Sequence, residues 1–316
     1  MTPRPLAVAC SGGRDSVALL HATWRAARQV AEATGQPAPV HALHVHHGLS
    51  RHADDWLAHC AAQCDRWRAE GADLHFHARH LHLKPALGDS VEALARQGRY
   101  AALADMAHAA GCDTVLLAHH REDQAETFLL QALRGAGAAG LASMPASVVR
   151  EGVTWRRPWL AHARAAIDAY VAHHGLQHIE DDSNADPRYA RNRLRLEVWP
   201  ALTAAFPQAP QVLGRAAQHA QDAAECLQAL AEMDLARVAV GDEGLDAVAA
   251  VALGGARLRN LLHLWWRRTT GVALRASWLD RLSRELPVCV EARWPVLGAG
   301  ELHLQWGVLR WNPLKS

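Results

Sequence analysis

Four short apolar runs, each followed by a stretch with helical spacing, limit what the first half of this chain can fold into. Leu6 to Cys10 reads as a buried strand and leads into a helix from about Asp15 to Ala27. Val40 to Val45 reads as a second strand, with a helix from about Asp54 to Glu70. Leu74 to Ala78 is a third, with a helix from Ser90 to Ala110, and Thr114 to Ala118 a fourth, with a helix from about Arg121 to Leu133. Alternation at these lengths implies right-handed βαβ units and a parallel sheet covered on both faces.

Past Pro200 the pattern changes. An alanine-rich helical stretch runs from Pro207 to about Arg268, broken once at Gly254-Gly255. Near the end, Glu301 to Trp306 alternates with period two, and Gly307 and Val308 to Trp311 complete a hairpin or small sheet. The 316 residues therefore divide into an α/β domain, 1–203, and a smaller, mostly helical domain, 204–316, with a short terminal β-hairpin. No run approaches the ~18 apolar residues that would cross a bilayer. The apolar start, Leu6 to Cys10, is shorter than a signal-peptide core of ~7–15 residues. The chain reads as cytoplasmic, with no membrane partner. The six cysteines form no CxxC pair, and Cys60 and Cys64 share a helix face as packed thiols. A net charge of +1 gives no global reason to expect nucleic acid. The only lysines are Lys84 and Lys315, so nearly all positive charge is the planar guanidinium fork suited to phosphate and carboxylate.

The chemistry concentrates where strands end. Ser11-Gly12-Gly13-Arg14-Asp15-Ser16 joins the first strand to the first helix. Glycines allow close backbone approach, and a helix start presents free N–H groups to an anion. This is a phosphate cradle, but no Lys-Ser/Thr follows, so it is not a Walker A loop. The run His44-Val45-His46-His47 ends the second strand; alternate imidazoles there share one face and fall short of a closed zinc site. Asp123 and Glu126 project from one face of the first turn after strand four. Acidic residues suit any helix start; aimed into a phosphate crevice they suit Mg²⁺ or an ammonium group. Arg191, Arg193 and Arg195 alternate and cannot all share one helical face. Interleaved with Tyr189 and Asn192, they suit phosphate contacts and base stacking.

The loop at Ser11–Ser16 resembles the SGGxDS motif of the PP-loop ATP pyrophosphatases. Further strings resemble the tRNA(Ile)-lysidine synthetase family within that superfamily. They are His44-Val45-His46-His47-Gly48-Leu49 (with His46 at the usual Asn), Glu92-Ala93-Leu94-Ala95-Arg96 with Arg99-Tyr100, and Ala118 to Thr127 (with Glu122 for a common Asp). Arg134-Gly135-Ala136-Gly137, Gly140-Leu141 and Arg157-Pro158 continue the pattern, with Trp159 at a usual Leu. Asp181-Asp182-Ser183-Asn184, Asp186, Tyr189 and Arg191 to Arg195 complete it.

The resemblance implies a PP-loop ATP-binding domain that adenylates a substrate oxygen and releases pyrophosphate. Ser11, Gly12, Gly13, Arg14, Asp15 and Ser16 would hold ATP with His44 and His119, and Asp15 and Asp123 would hold Mg²⁺. Asp15, Arg99, Asp123 and Glu126 would be catalytic; Arg96, Arg134, Tyr189, Arg191, Arg193 and Arg195 would bind tRNA. The implied partners are a tRNA(Ile) with a CAU anticodon, recognised by the 204–316 domain, and free L-lysine, joined at C2 of the wobble cytidine. The rivals are another PP-loop tRNA enzyme, such as a cytidine thiolase, and a non-catalytic tRNA-binding protein.

Overall fold

A computed structural model describes residues 4–46, 48, 52–81, 91–180, 186–241, 243–271 and 276–314. His47, Leu49, Lys84, Ser90, Asp181, Asp182, Ser183, Asn184 and Lys315 lie outside the described residues, as does the side chain of Glu92. The chain forms two compact units, residues 1–219 and 220–316.

In the first unit, strands β1 (Leu6–Ala9), β2 (Val40–His46), β3 (Leu74–His80) and β4 (Thr114–Leu116) alternate with helices α1 (Arg14–Thr34), α2 (Ala53–Ala69) and α3 (Val91–Ala109). Helix α4 (Arg121–Leu133) and the short α5 (Ala138–Leu141) follow, then β5 (Ser147–Arg150), β6 (Val153–Arg156) and α6 (Arg164–His173). The sheet order is β3-β2-β1-β4-β6-β5, parallel throughout except for the antiparallel edge strand β5. Successive strand residues point to opposite faces, and the cores follow that rule. Val8, Cys10, Val40 and Ala42 pack with α1, α2 and α6 through Leu20, Trp67 and Ile167. Ala7, Leu43, Val115, Val153 and Trp155 pack with α3 through Leu103, Ala104 and Ala107. Both faces are buried, which is why these strands read as continuous apolar runs. The β5–β6 hairpin, absent from the sequence reading, turns on Glu151 and Gly152, both at positive φ. Its inward residues, Val153 and Trp155, alternate over too few positions to carry a periodic signal.

After α6 come α7 (Ala190–Arg193), a π-helical turn at Leu194–Val198, α8 (Trp199–Ala205) and α9 (Ala209–Val238). The two-unit division falls within α9. The continuous helical stretch expected to Arg268 is interrupted earlier than Gly254: α9 ends at Val238, and β7 (Ala239–Val240) and β8 (Gly244–Asp246) precede α10 (Ala247–Ala252) and α11 (Gly255–Thr270). Strands of two and three residues hold no readable period; pairing with later strands defines them. Helix α12 (Ala276–Glu285) leads to β9 (Ala292–Val296), β10 (Gly300–Gln305) and β11 (Val308–Pro313), giving an antiparallel sheet in the order β7-β8-β11-β10-β9. Leu261, Leu262, Trp265 and Trp266 of α11 pack on Trp294, Leu302, Leu304 and Leu309.

Candidate active site

Order in the first sheet reverses at β1, with β2 and β3 to one side and β4 to the other. Open α/β sheets bind ligands at the carboxyl edge of such a switch point. The two loops that leave β1 and β4 there carry the Ser11–Ser16 string and the His119–Glu126 string.

The first loop is tightly tied. Gly12 has φ +85°, and a Cβ there would lie 2.8 Å from Ile179 Cδ1 and 3.0 Å from Cys60 Sγ. Its carbonyl accepts from the Ile179 amide at 2.9 Å. Ser16 Oγ donates to the Gly13 carbonyl at 2.8 Å and lies 3.1 Å from Ser11 Oγ. Gly13 caps α1 in extended conformation with no side-chain cap, so no capping side chain occupies the first-turn amides, which an anion site needs free. The buried His44 donates from Nδ1 to the Cys10 carbonyl at 2.9 Å and supports the loop from below. Arg14 turns sideways, pairing with Asp168 at 2.8 Å and Asp15 at 3.4 Å.

At the second loop, His120 is the N-cap of α4, and Asp123 closes a capping box by accepting the His120 amide at 3.1 Å. The His120 ring is ringed by carboxylates: Glu122 at 3.1 Å from Nδ1, Asp123 at 3.4 Å and Asp15 at 3.8 Å from Nε2. Burial alone would push its pKa down, but Glu122, Asp123 and Asp15 outweigh burial and leave it raised. Asp123 is pushed up by burial and pulled further down by His120, His119, Arg191 and Arg195, ending below the usual carboxylate range. Glu126 goes the other way: burial raises it, Arg195 only partly offsets this, and Asp123 adds to the rise.

Arginines from the helix after Tyr189 close the site. Arg195 straddles the carboxylate pair, with Nη2 2.7 Å from Asp123 Oδ1 and Nε 2.7 Å from Glu126 Oε1. Arg191, four residues earlier and so on the same face, lies 3.3 Å from Glu126 and donates to Thr127. Arg193 points elsewhere and is exposed. The structure thus brings together Asp15, Asp123, Glu126, Arg191 and Arg195. Nearby, His119 is held near pKa 4 by burial, with Arg157, Arg191 and Arg96 also lowering it and Asp123 opposing them. Its buried Nδ1 has no partner among the described residues, so a neutral imidazole is available to a ligand.

Among the described residues, none of Arg96, Arg99, Arg134 and Tyr189 is joined to the five by an ion pair or side-chain hydrogen bond, though Arg96 acts on His119 through its charge. Arg96 and Arg99 are exposed on α3, with Arg96 over the Tyr100 ring at 5.4 Å. Arg134 is exposed at the end of α4, and Tyr189 is 49% exposed at the N-cap of α7. Two residues of the cluster were not singled out from sequence, His120 and Glu122. The available signal was the His-x-x-Asp spacing of a capping box; Glu122 is fixed by accepting the Arg164 amide at 2.9 Å, a contact across 42 residues.

Among the described residues no three His, Cys, Asp or Glu side chains converge as a metal cage. The donor chemistry near the loop fits a different binding style. Mg²⁺ takes one or two carboxylates and completes its shell with water and substrate phosphates. Asp15 and Asp123 supply two such carboxylates around one imidazole nitrogen.

The PP-loop domain family matches residues 1–202. A tRNA(Ile)-lysidine synthase of Burkholderia pseudomallei is 44% identical over 91% of this chain, which spans 57% of that relative's length. A tRNA(Ile)-lysidine synthase of Polaromonas naphthalenivorans is 41% identical over 90% of this chain and 81% of its own. The U34-tRNA thiolase NcsA of Methanococcus maripaludis shares the fold, with TM-score 0.55 and 14% identity over 69% of this chain and 72% of that one. A parallel sheet with its loop at the β1/β4 switch point, matched along nine-tenths of the chain at this identity, leaves one conclusion: the chain belongs to the tRNA(Ile)-lysidine synthase family of PP-loop proteins.

Proposed function

We propose that this chain ligates free lysine to C2 of the wobble cytidine of a tRNA(Ile) with a CAU anticodon, in the cytoplasm. The carrying observation is the buried carboxylate pair Asp123/Glu126 beside Asp15 and the glycine loop at one switch point. In the first step cytidine O2 attacks the α-phosphorus of ATP, the bond to the β-phosphate oxygen breaks, and pyrophosphate leaves. In the second, the lysine ε-nitrogen attacks C2, the C2–O2 bond breaks and AMP departs with that oxygen.

The residues suit these tasks. Amides at the start of α1, with Ser11 and Ser16, hold phosphate oxygens. Asp15 and Asp123 would hold Mg²⁺, which neutralises charge on phosphate oxygens when bound. Asp123 and Glu126 suit an ammonium group, since the structure already seats the Arg195 guanidinium on both. The ε-amino group must lose a proton from a reference pKa of about 10.4 before it attacks. Glu126, with its raised affinity for protons, is placed to hold one. Arg193, exposed beside Tyr189, is the arginine of its trio most open to RNA phosphate; Arg96, Arg99 and Arg134 are exposed as well.

The test incubates a transcript bearing the CAU anticodon with ATP, Mg²⁺ and isotopically labelled lysine. Label enters only the wobble cytidine, the nucleoside gains the mass of lysine less one water, and AMP accumulates in step. Sulfur in the base, or ATP cleaved to ADP without lysine incorporated, overturns the reading.

A further inference from the structure

Helix α6 starts at Arg164, after Ala163, whose methyl side chain offers no acceptor to the first-turn amides. Glu122 of α4 reaches across to supply one. A single carboxylate oxygen, Oε2, accepts the Arg164 amide at 2.9 Å and the His120 Nδ1 hydrogen at 3.1 Å. The far side of the same imidazole, Nε2, faces Asp123 at 3.4 Å and Asp15 at 3.8 Å. The ring is buried, so its packing and this one oxygen settle its plane.

The start of α6 is tied to both loops of the switch point. Asp168, one turn after Arg164 and on the same face, pairs with Arg14 of the first loop at 2.8 Å. Arg121, beside Glu122, donates through Nε and Nη2 to the Ala161 carbonyl at 3.1 and 2.6 Å, just before the helix. The third tie is Glu122, and it alone of the three continues through an imidazole to Asp15 and Asp123. An acidic residue in a first turn helps any helix through the dipole. That role demands no particular direction, whereas both Glu122 contacts fall on one oxygen.

We infer that Glu122 is a positioning residue for the adenylation step: anchored on the first amide of α6, it fixes the plane of His120 and, through that ring, the gap between Asp15 and Asp123. The inference rests on the ATP chemistry proposed above. What acts is an acceptor oxygen at a fixed place, since either donor needs only a lone pair there. Misplacement by ~1 Å of groups that meet a reacting phosphate can cost about 100-fold in rate.

The test compares variants of the full chain by melting temperature, by pyrophosphate release with tRNA, and by calorimetric binding of ATP. Glu122→Ala lowers kcat about 10–100-fold and leaves KM for tRNA unchanged. Glu122→Gln restores an oxygen to the same place and recovers most of that loss. Arg164→Pro removes only the amide donor, because Ala163, at φ −71° and ψ 145°, already has the backbone that precedes proline, and proline suits a first helical position. It turns over more slowly than Arg164→Ala, which keeps the amide. Without any turnover, Glu122→Ala loses ATP affinity measured with Mg²⁺ and keeps the affinity measured without it, since the glycine loop is untouched. A Glu122→Ala variant that melts lower yet keeps wild-type kcat and Mg²⁺-dependent ATP affinity reduces Glu122 to a helix cap and overturns the inference. Glu122→Gln as slow as Glu122→Ala makes charge the agent and overturns it as well. A wild-type chain that binds ATP but releases no pyrophosphate with tRNA brings down the reaction proposed above, while the two ATP affinities still decide the role of Glu122.

Discussion

His120 shows how much one side chain organises here: it caps α4 with its backbone and holds three carboxylates around its ring. Asp15 and Asp123 thereby stand close without collapsing onto each other's charge. Asp15→Asn should leave the melting temperature unchanged. Asp123→Asn, which weakens a buried pair with Arg195, should cost about 1–3 kcal/mol and still fold. Both should lose AMP and pyrophosphate formation, and near-normal turnover at saturating Mg²⁺ and tRNA would rule the assignment out. Gly12 gives a second residue-level test. At φ +85°, with Ile179 Cδ1 2.8 Å from where a Cβ would sit, alanine is strained by about 1–2 kcal/mol for the backbone alone. Gly12→Ala should lower the melting temperature and weaken ATP binding together; a wild-type melt with wild-type ATP affinity would contradict this account of the loop. The glycines, Asp15, Asp123 and Glu126 were legible in the sequence because loop and helix-start chemistry is local. The different directions of Arg191 and Arg195 against Arg193 were not, because only the packed helix shows which way each points.

Two elements carry histidines whose burial has a measurable consequence. His21 of α1 packs among Trp24, Trp67, Tyr170 and His174. His41 of β2 stacks between His75 and His77 of β3. Burial first, then neighbouring positive charge, lowers each to about 4. The unfolded chain, titrating near 6.5, binds protons over the interval in which the folded chain does not. Stability from this source is therefore complete above pH 6.5 and falls as pH drops from about 6.5 to 4. Calorimetry from pH 7.5 downward should show a falling melting temperature over that interval, partly flattened by His41→Gln; a flat profile would refute it. Element boundaries were readable for α2, α3 and α4, whose spans match their spacing, while α1 runs to Thr34, seven residues past the Ala27 end its pattern gave. The β5–β6 hairpin and the two short strands after α9 were not: β6 and β8 are set by pairing with the distant strands β4 and β11, and β5 and β7 only by pairing with β6 and β8.

Across the whole molecule, the core of residues 220–316 centres on α11 and the antiparallel sheet. Leu261, fully buried there, should cost about 2–5 kcal/mol when changed to alanine. Hydrogen exchange should report lost protection in α11 and β10, and unchanged protection would disprove its place in that core. The parallel class of the first sheet was legible from alternation alone, because right-handed crossovers leave few alternatives. The reversal of strand order at β1 was not, since no local pattern says on which side β4 joins, yet that reversal creates the crevice.

The π-helical turn at Leu194–Val198 sets the phase of every helical position after Arg193. Each residue added to or removed from a helix rotates the downstream side chains by about 100°. Losing one residue before Arg195 would regularise the helix and swing the guanidinium off Asp123 and Glu126. Leu196 and Val198 are about half exposed, and apolar side chains there make no hydrogen bond or ion pair, so they can drift in identity. In this segment selection acts on chain length more than on spelling, so insertions and deletions should be rarer among descendants than substitutions.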